Sequence, residues 1–235
     1  MSEIPTIVLN ANVVKERVFN AAVKAERNPE DIALVCVSKT KPASDIQALY
    51  DAGYRHFGEN YFQELVEKSA ALPKDIKWHF IGHLQSSKSG KIVKDVPNLH
   101  AVETVDSIKL ATKLNTACET NKRSSLNIFI QVDTSGEITK SGIADAELNE
   151  LMSFISTQCP FLTIKGLMTI GAPDDYSCFD RLVACRTTVA SALNVEETSL
   201  QLSMGMSGDF EEAISRGSTS VRVGSTIFGP RIYNK

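Results

Sequence analysis

The sequence lacks the features that mark several protein classes. Its 235 residues include five cysteines, and none of them forms a C-x-x-C pair. An odd set of cysteines lying mostly in apolar stretches is typical of buried reduced thiols, not of a disulfide scaffold or a zinc site. No apolar run approaches the roughly 18 residues of a membrane span. Residues 1–10 carry one acid and no base, unlike a targeting peptide, so we expect a cytoplasmic protein.

The sequence also lacks a large excess of charge of either sign. Lysine and arginine total 25 against 28 aspartates and glutamates, which gives a net charge of −3 and a pI near 5.9. Without a long basic run, binding to nucleic acid is not expected. The chain is 43% apolar and 23% charged, and no linker or low-complexity stretch divides it. We therefore predict a single globular domain over residues 1–235.

Apolar runs typical of buried parallel strands alternate with stretches of helical periodicity. An additional helix is predicted over about 10–27, before the first strand. Eight such units predict an α/β fold, a (β/α)8 TIM-type barrel with an extra N-terminal helix. An open doubly wound sheet is the alternative, but its G-x-G-x-x-G turn is missing. The predicted strands cover 32–37, 56–60, 78–84, 100–105, 127–132, 164–170, 201–206 and 220–228.

Short signals predict where helices begin and end. The residues Ser44 to Gln47 have the pattern of a capping box, which would start the helix after the first strand. Gly53 suits the position just after that helix. Asp106 or Ser107 is expected to cap the helix after the fourth strand.

In a (β/α)8 barrel, function lies at the C-terminal ends of the strands. Val35, Val37 and Lys39 share one side of the first strand, so Lys39 is expected at the barrel mouth. A lysine amine there can attack a carbonyl carbon and form an imine. An ordinary solvated lysine at a strand end is the alternative interpretation.

The loops after the last two predicted strands are rich in glycine and serine. Ser207 and Gly208 follow the seventh strand, and Gly224 and Ser225 follow the eighth. These loops are the usual phosphate-binding place in such barrels, although they could be ordinary tight turns. A lysine opposite a phosphate cradle fits two ligands, a sugar phosphate or pyridoxal 5′-phosphate. With the second, Arg222 would meet the pyridine nitrogen.

Several segments in chain order resemble the pyridoxal phosphate homeostasis protein family, the single-domain relatives of the alanine racemase barrel. The resemblance implies a barrel that binds pyridoxal phosphate as an imine of Lys39. It also implies that Ser207, Gly208, Gly224 and Ser225 hold the phosphate and that Arg222 faces the ring nitrogen. Asn60 and His83 would lie beside the cofactor. The matching segments include 37–42 (VSKTKP), 57–61 (FGENY), 78–88 (WHFIGHLQSSK), 131–132, 135–137, 140–142, 166–170 (GLMTI), 202–207 (LSMGMS), 221–225 (VRVGS) and 227–229.

Three functions remain open at this point. The resemblance implies a non-catalytic carrier that holds pyridoxal phosphate and supplies it to apo-enzymes, in the cytoplasm with a possible mitochondrial fraction, and we expect a monomer. An amino-acid racemase is the alternative, although the second domain that supplies a tyrosine base in such enzymes has no counterpart in this sequence. A Schiff-base aldolase is the third, without an obvious proton relay. Lys41 could also reach the mouth, and Glu137 and Lys140 lie in a polar loop that could form a lid.

Overall fold

The computed structural model describes residues 4–136 and 141–230. They form a closed barrel of eight parallel strands in chain order, in which the last strand pairs with the first. The predicted (β/α)8 barrel is therefore confirmed, and the open doubly wound sheet is wrong. The strands are β1 (Ala33–Val37), β2 (His56–Glu59), β3 (Lys77–Phe80), β4 (Leu99–Val105), β5 (Leu126–Gln131), β6 (Leu162–Met168), β7 (Gln201–Ser203) and β8 (Ser220–Val223).

Helices surround the barrel, and one of them precedes β1 as predicted. This first helix packs against the helices next to it on both sides, α2 on one and α8 with α9 on the other. It thereby completes the outer layer where the last helix has a single turn. The helices are α1 (Thr6–Lys24), α2 (Ala43–Asp51), α3 (Phe62–Ala71), α4 (Ser89–Asp95), α5 (Ile108–Thr120), α6 (Asp145–Gln158), α7 (Ser177–Leu193), α8 (Phe210–Ser215) and α9 (Ser225–Phe228).

Three strands are shorter than their apolar runs predict. β3 ends at Phe80, β7 at Ser203 and β8 at Val223, and helix α9 begins only two residues after β8. After β7 the chain turns at Gly205, whose φ of +95° lies in the left-handed region that glycine tolerates. Most apolar residues beyond these ends, such as Ile81, Met204 and Ile227, are buried in loops and in α9 and not in the sheet, whereas Met206 is exposed. Periodicity alone therefore extends the strands too far.

The helix signals were partly correct. The capping box at Ser44 is wrong, because α2 begins at Ala43 after Pro42 and no side chain caps it. Gly53 follows α2 with a φ of +97°, as predicted. Ser107 caps α5, where its Oγ accepts a hydrogen bond from the Leu110 N–H at 3.3 Å.

Two different environments lie on the two faces of the sheet. Large apolar side chains such as Phe57, Trp78 and Phe210 are fully buried in the layer between strands and helices. The smaller cluster of Ala101, Phe129 and Met168 is separate from this layer. All five cysteines are free and buried, as predicted. Among the described residues, no helix combines the length and apolar character needed to cross a membrane.

One strand pair approaches so closely that only glycine fits. A Cβ atom added to Gly166 on β6 would lie 1.9 Å from the Gln201 carbonyl oxygen on β7, so the backbone would have to move. We expect Gly166→Ala to lower the free energy of unfolding by about 1–3 kcal/mol, measured by urea denaturation. Gly90→Ala in α4 is the control, because nothing lies within 4 Å and alanine favours a helix by about 0.5–1 kcal/mol. Equal stabilities for both variants would contradict this account.

Candidate functional site

A cavity of about 430 Å³ opens at the C-terminal end of the barrel. Its size is in the range of small-molecule sites. The apolar walls are formed by side chains of β1, of β6, of α9 and of the residue after β3. These include Val37, Met168, Phe228 and Ile81. The cavity brings together seven of the eight residues singled out in the sequence, and these are Lys39, Asn60, Ser207, Gly208, Arg222, Gly224 and Ser225.

His83, the eighth, lies elsewhere. It is exposed and does not line the cavity. Because β3 ends at Phe80, Ile81 faces the cavity and Leu84 packs in the outer apolar layer, so the side chain of His83 is left at the surface. The predicted place of His83 beside a cofactor finds no support in the lining.

Lys41 and the polar loop have different outcomes. Lys41 does line the cavity, where its Nζ donates a hydrogen bond to the Pro230 carbonyl oxygen at 3.0 Å. Its predicted reach to the mouth is therefore confirmed. Glu137 and Lys140, the residues of the possible lid, lie outside the described residues.

The backbone on the C-terminal side of Lys39 is held in an unusual conformation. Thr40 has a φ of +62°, in the left-handed region that is costly for a residue with a Cβ atom, by about 1–3 kcal/mol. Its N–H donates a hydrogen bond to Glu64 Oε2 at 2.8 Å. This contact fixes the turn that leaves half-buried Lys39 in the cavity wall.

The backbone on the N-terminal side of Lys39 is held by a buried ion pair. Lys68 of α3 donates hydrogen bonds to the Ser38 carbonyl oxygen at 2.9 Å, and to Glu59 Oε1 and Glu64 Oε2 at 2.8 Å each. The hydroxyl of Ser38 also donates to Glu59 Oε1, at 2.6 Å. Burial raises the pKa of Glu59, and the charge and hydrogen bond of Lys68 act in the opposite direction. Lys68 thus holds the residues on both sides of Lys39, directly at Ser38 and through Glu64 at Thr40.

Lys68 was not among the residues predicted from the sequence, although a signal was present. Leu65 and Lys68 of α3 and Leu72, directly after the helix, are spaced i, i+3 and i+7, which puts the lysine on the buried face. A lysine on an apolar face needs a buried anionic partner. Glu59, at the end of the preceding strand, is that partner.

Arg222 is the buried cation at the floor of the cavity. It is 4% exposed, and its guanidinium donates to Ser203 Oγ at 2.6 Å and to the Thr169 carbonyl oxygen at 2.8 Å. Burial lowers the pKa of Arg222, against the opposing effect of the carboxylates of Glu103 and Asp209. An arginine remains charged in this setting and has N–H groups beyond these two bonds. The guanidinium at the floor of the cavity therefore offers hydrogen-bond donors and no acceptor.

The loops after β7 and β8 meet at one side of the mouth. The Gly224 N–H donates to Ser207 Oγ at 3.2 Å, so the two loops are joined by a hydrogen bond. Asp209 Oδ1 accepts from the Met206 N–H at 2.6 Å and shapes the first loop. Ser207 is partly exposed, and Gly208 and Ser225 are exposed. Hydroxyls and backbone N–H groups that converge in this way can bind the oxygens of an anion.

Asn60, at the end of β2, carries an unpaired acceptor. Its side-chain Oδ1 is buried and has no hydrogen-bond partner among residues 4–136 and 141–230. A buried amide oxygen without a partner costs about 1–3 kcal/mol. Because Asn60 lines the cavity, a ligand that donates a hydrogen bond would satisfy it.

Comparisons with known proteins agree with this geometry. The family model of the alanine racemase N-terminal domain matches residues 18–231. The pyridoxal phosphate homeostasis protein of Homo sapiens is 43% identical, over 94% of this chain and 86% of its own. The protein of that name from Escherichia coli K12 is 42% identical, over 97% of this chain and 98% of its own. The chain belongs to the pyridoxal phosphate homeostasis protein family.

Solved structures place the family resemblance in three dimensions. PipY of Synechococcus elongatus with pyridoxal phosphate bound is 33% identical and has a TM-score of 0.75, over 92% of this chain and 100% of PipY. A protein of Bifidobacterium adolescentis, also 33% identical, has a TM-score of 0.86 over 95% of this chain and 94% of its own. An alanine racemase from Corynebacterium glutamicum, 14% identical with a TM-score of 0.68, covers 94% of this chain and 62% of its own. The racemase shares the fold alone. The resemblance to the pyridoxal phosphate homeostasis protein family seen in the sequence is confirmed.

Proposed function

We propose that this protein binds pyridoxal 5′-phosphate, holds it through Lys39 and supplies it to apo-enzymes. The observation that carries the proposal is one cavity that joins a strand-end lysine, a buried arginine and a serine–glycine anion site. The family to which the chain belongs supports it, as does a relative whose structure contains pyridoxal phosphate.

The residues present fit each part of the cofactor. When bound, pyridoxal phosphate supplies an aldehyde that condenses reversibly with amines. Lys39 would hold that aldehyde through its amine nitrogen and would be released when water or another amine takes its place. Ser207, Gly208 and Ser225 donate to the phosphate, and Asn60 accepts from a donor group on the ligand.

Arg222 restricts carbanion chemistry at this site without excluding racemisation. A guanidinium can donate a hydrogen bond to the pyridine nitrogen but cannot accept one. Protonating that nitrogen would put two cations side by side in a buried site, which costs free energy. The ring therefore stays unprotonated, and an unprotonated ring is a weaker electron sink for carbanion chemistry.

The cavity lining also disfavours racemisation. A racemase removes a proton from one face of its substrate and returns it on the other, which takes two positioned acid/base groups. Within the described part of the lining, Lys39 and Lys41 are the side chains suited to proton transfer, and Lys41 is bonded to the Pro230 carbonyl oxygen. That part contains no histidine, tyrosine or carboxylate, so an aldolase relay is not favoured either.

We further propose a cytoplasmic location and a monomeric state. The five buried free thiols suit a reducing compartment.

The holder and the racemase are separated by assaying one preparation in two ways. We expect no change in the circular dichroism of alanine or serine over hours. We also expect activation of an apo-transaminase while free cofactor is trapped. Racemisation at an enzyme-like rate, on the order of 1 s⁻¹, that is lost in Lys39→Ala would overturn the holder function. Transfer no faster than spontaneous release would contradict supply to apo-enzymes.

The phosphate site makes a second prediction. Ser207→Ala and Ser225→Ala each remove a hydroxyl donor to a charged acceptor, worth about 1.5–3 kcal/mol. We expect about 10- to 150-fold weaker binding of pyridoxal phosphate, measured by absorbance titration. Pyridoxal, which lacks the phosphate, should be nearly insensitive to either change. Ser215→Ala is the control, since Ser215 is exposed at the end of α8 and away from the cavity. Equal losses for both ligands would place the phosphate elsewhere.

A further inference from the structure

Three histidines meet at the end of the barrel opposite the cavity. His56 is the first residue of β2, His79 lies in β3, and His100 is the second residue of β4. Because the strands are parallel neighbours, the first residues of β2 and β4 lie at the same end, and His79, the third residue of β3, reaches both histidines there. The ring centroids are 5.1 Å apart for His56 and His79, 5.4 Å for His56 and His100, and 4.9 Å for His79 and His100. The three rings therefore form a nearly equilateral triangle.

One nitrogen of each ring lies close to one nitrogen of both other rings. These three nitrogens lie within 4.8 Å of one another. Nitrogen ligands about 2.0–2.1 Å from a tetrahedral zinc ion are about 3.3 Å apart. Side-chain rotations that close at most about 1.5 Å would bring the three rings to that spacing.

The central histidine has the partner that metal-binding histidines require. His79 Nδ1 lies 2.6 Å from Glu103 Oε1, and Glu103 is fully buried. A carboxylate accepts hydrogen bonds, so His79 Nδ1 carries the hydrogen of this contact. His79 Nε2 is the nitrogen that lies 2.9 Å from His56 Nδ1. Metal-ligating histidines almost always donate their other N–H in this way.

Hydrogen bonding among the rings explains only part of the cluster. His56 Nδ1 and His79 Nε2 are 2.9 Å apart, which is a hydrogen bond between the two rings. The ring of His100 contacts both other rings but makes no hydrogen bond to the described residues. An imidazole without a hydrogen-bond partner beside two others is suited to bind a ligand that accepts electron pairs.

We propose that His56, His79 and His100 bind one divalent transition-metal ion of the class that prefers imidazole, represented by zinc. The geometry assigns three protein ligands and leaves the fourth tetrahedral position to solvent, which reaches the partly exposed rings of His56 and His100. The site is separate from the cofactor cavity and does not depend on the proposed carrier function.

The test is a zinc titration of the untagged full-length protein after treatment with a chelator. We expect one zinc ion per chain in competition with a chromophoric chelator, and a visible absorption band of tetrahedral cobalt when cobalt is added instead. His56→Ala and His100→Ala should each weaken zinc binding at least tenfold. His83→Ala is the matched control, because the fourth histidine of the chain is exposed and does not belong to the cluster.

Each outcome decides the proposal. Zinc binding at one equivalent that survives in His83→Ala and is lost in His100→Ala supports it. Absence of stoichiometric zinc binding to the wild-type protein overturns it, and so does binding that His83→Ala removes and His100→Ala does not. If an alanine variant fails to fold, as judged by circular dichroism, His56→Gln and His100→Gln fill the same space and give the same decision.

Discussion

Replacing Lys39 with alanine is expected to abolish covalent attachment of pyridoxal phosphate. Lys39 follows β1 at the mouth, and the residues on both sides of it are held by the Lys68 network. In Lys39→Ala no amine remains at that point of the wall. Borohydride reduction followed by peptide mass mapping should put all of the label of the wild-type protein on Lys39 and none on the variant. Phosphate-dependent, non-covalent binding should persist at lower affinity, because the loops after β7 and β8 are unchanged.

Lys41 provides the control for this experiment. It lines the same cavity, but its Nζ is bonded to the Pro230 carbonyl oxygen. Lys41→Ala should therefore retain the covalent attachment and the label on Lys39. A label found chiefly on Lys41 in the wild-type protein would show that the attachment site is assigned to the wrong lysine.

Replacing Lys68 with methionine is expected to cost about 3–5 kcal/mol of unfolding free energy. Methionine keeps most of the volume of lysine, but Glu59, which is 0% exposed, loses the cation that compensates its charge. The Ser38 carbonyl oxygen also loses a donor. Urea denaturation at pH 7 measures the effect. The double variant Lys68→Met/Glu59→Leu is expected to recover most of the stability, since an apolar pair leaves no buried charge.

The pH dependence of Lys68→Met follows from the same pair. Without Lys68, the pKa of Glu59 rises further above its ordinary value of 4.5. The folded variant then holds a proton that the unfolded chain has lost, so its stability decreases as pH rises above about 4.5. We expect the deficit against wild type to be smaller at pH 5 than at pH 8. A deficit independent of pH would mean that lost packing, and not an unpaired carboxylate, is the cause.

The fold could be predicted because strands and helices each leave a local pattern of apolar residues in the sequence. Runs such as 32–37 are apolar on both faces, which favours a strand of a parallel sheet. Strand ends were less predictable. Gly205 turns the chain after Ser203, and α9 takes up apolar residues that the pattern assigned to β8. The residue at which a strand ends depends on the backbone of the neighbouring strand with which it pairs. The closed barrel determines that pairing.

The residues of the site likewise divide into those that the sequence could predict and those that it could not. Lys39, Ser207 and Arg222 could be predicted because a barrel brings strand ends together at one mouth. His83 could not be excluded, since its position depends on the end of β3 at Phe80. Residues that act through others, such as Lys68, gain their partners only by packing between elements.

The closed barrel also fixes when the cavity can form during synthesis. Lys39 lies near the start of the chain, whereas Ser207 and Ser225 lie near its other end and reach Lys39 only when β8 pairs with β1. On a ribosome, the amine emerges long before the phosphate-binding loops. A nascent chain with fewer than eight strands therefore has no complete pocket, and pyridoxal phosphate cannot guide its early folding. Pyridoxal phosphate instead stabilises the finished barrel by binding to its folded state. A higher concentration of the cofactor therefore raises the fraction of protein that stays folded.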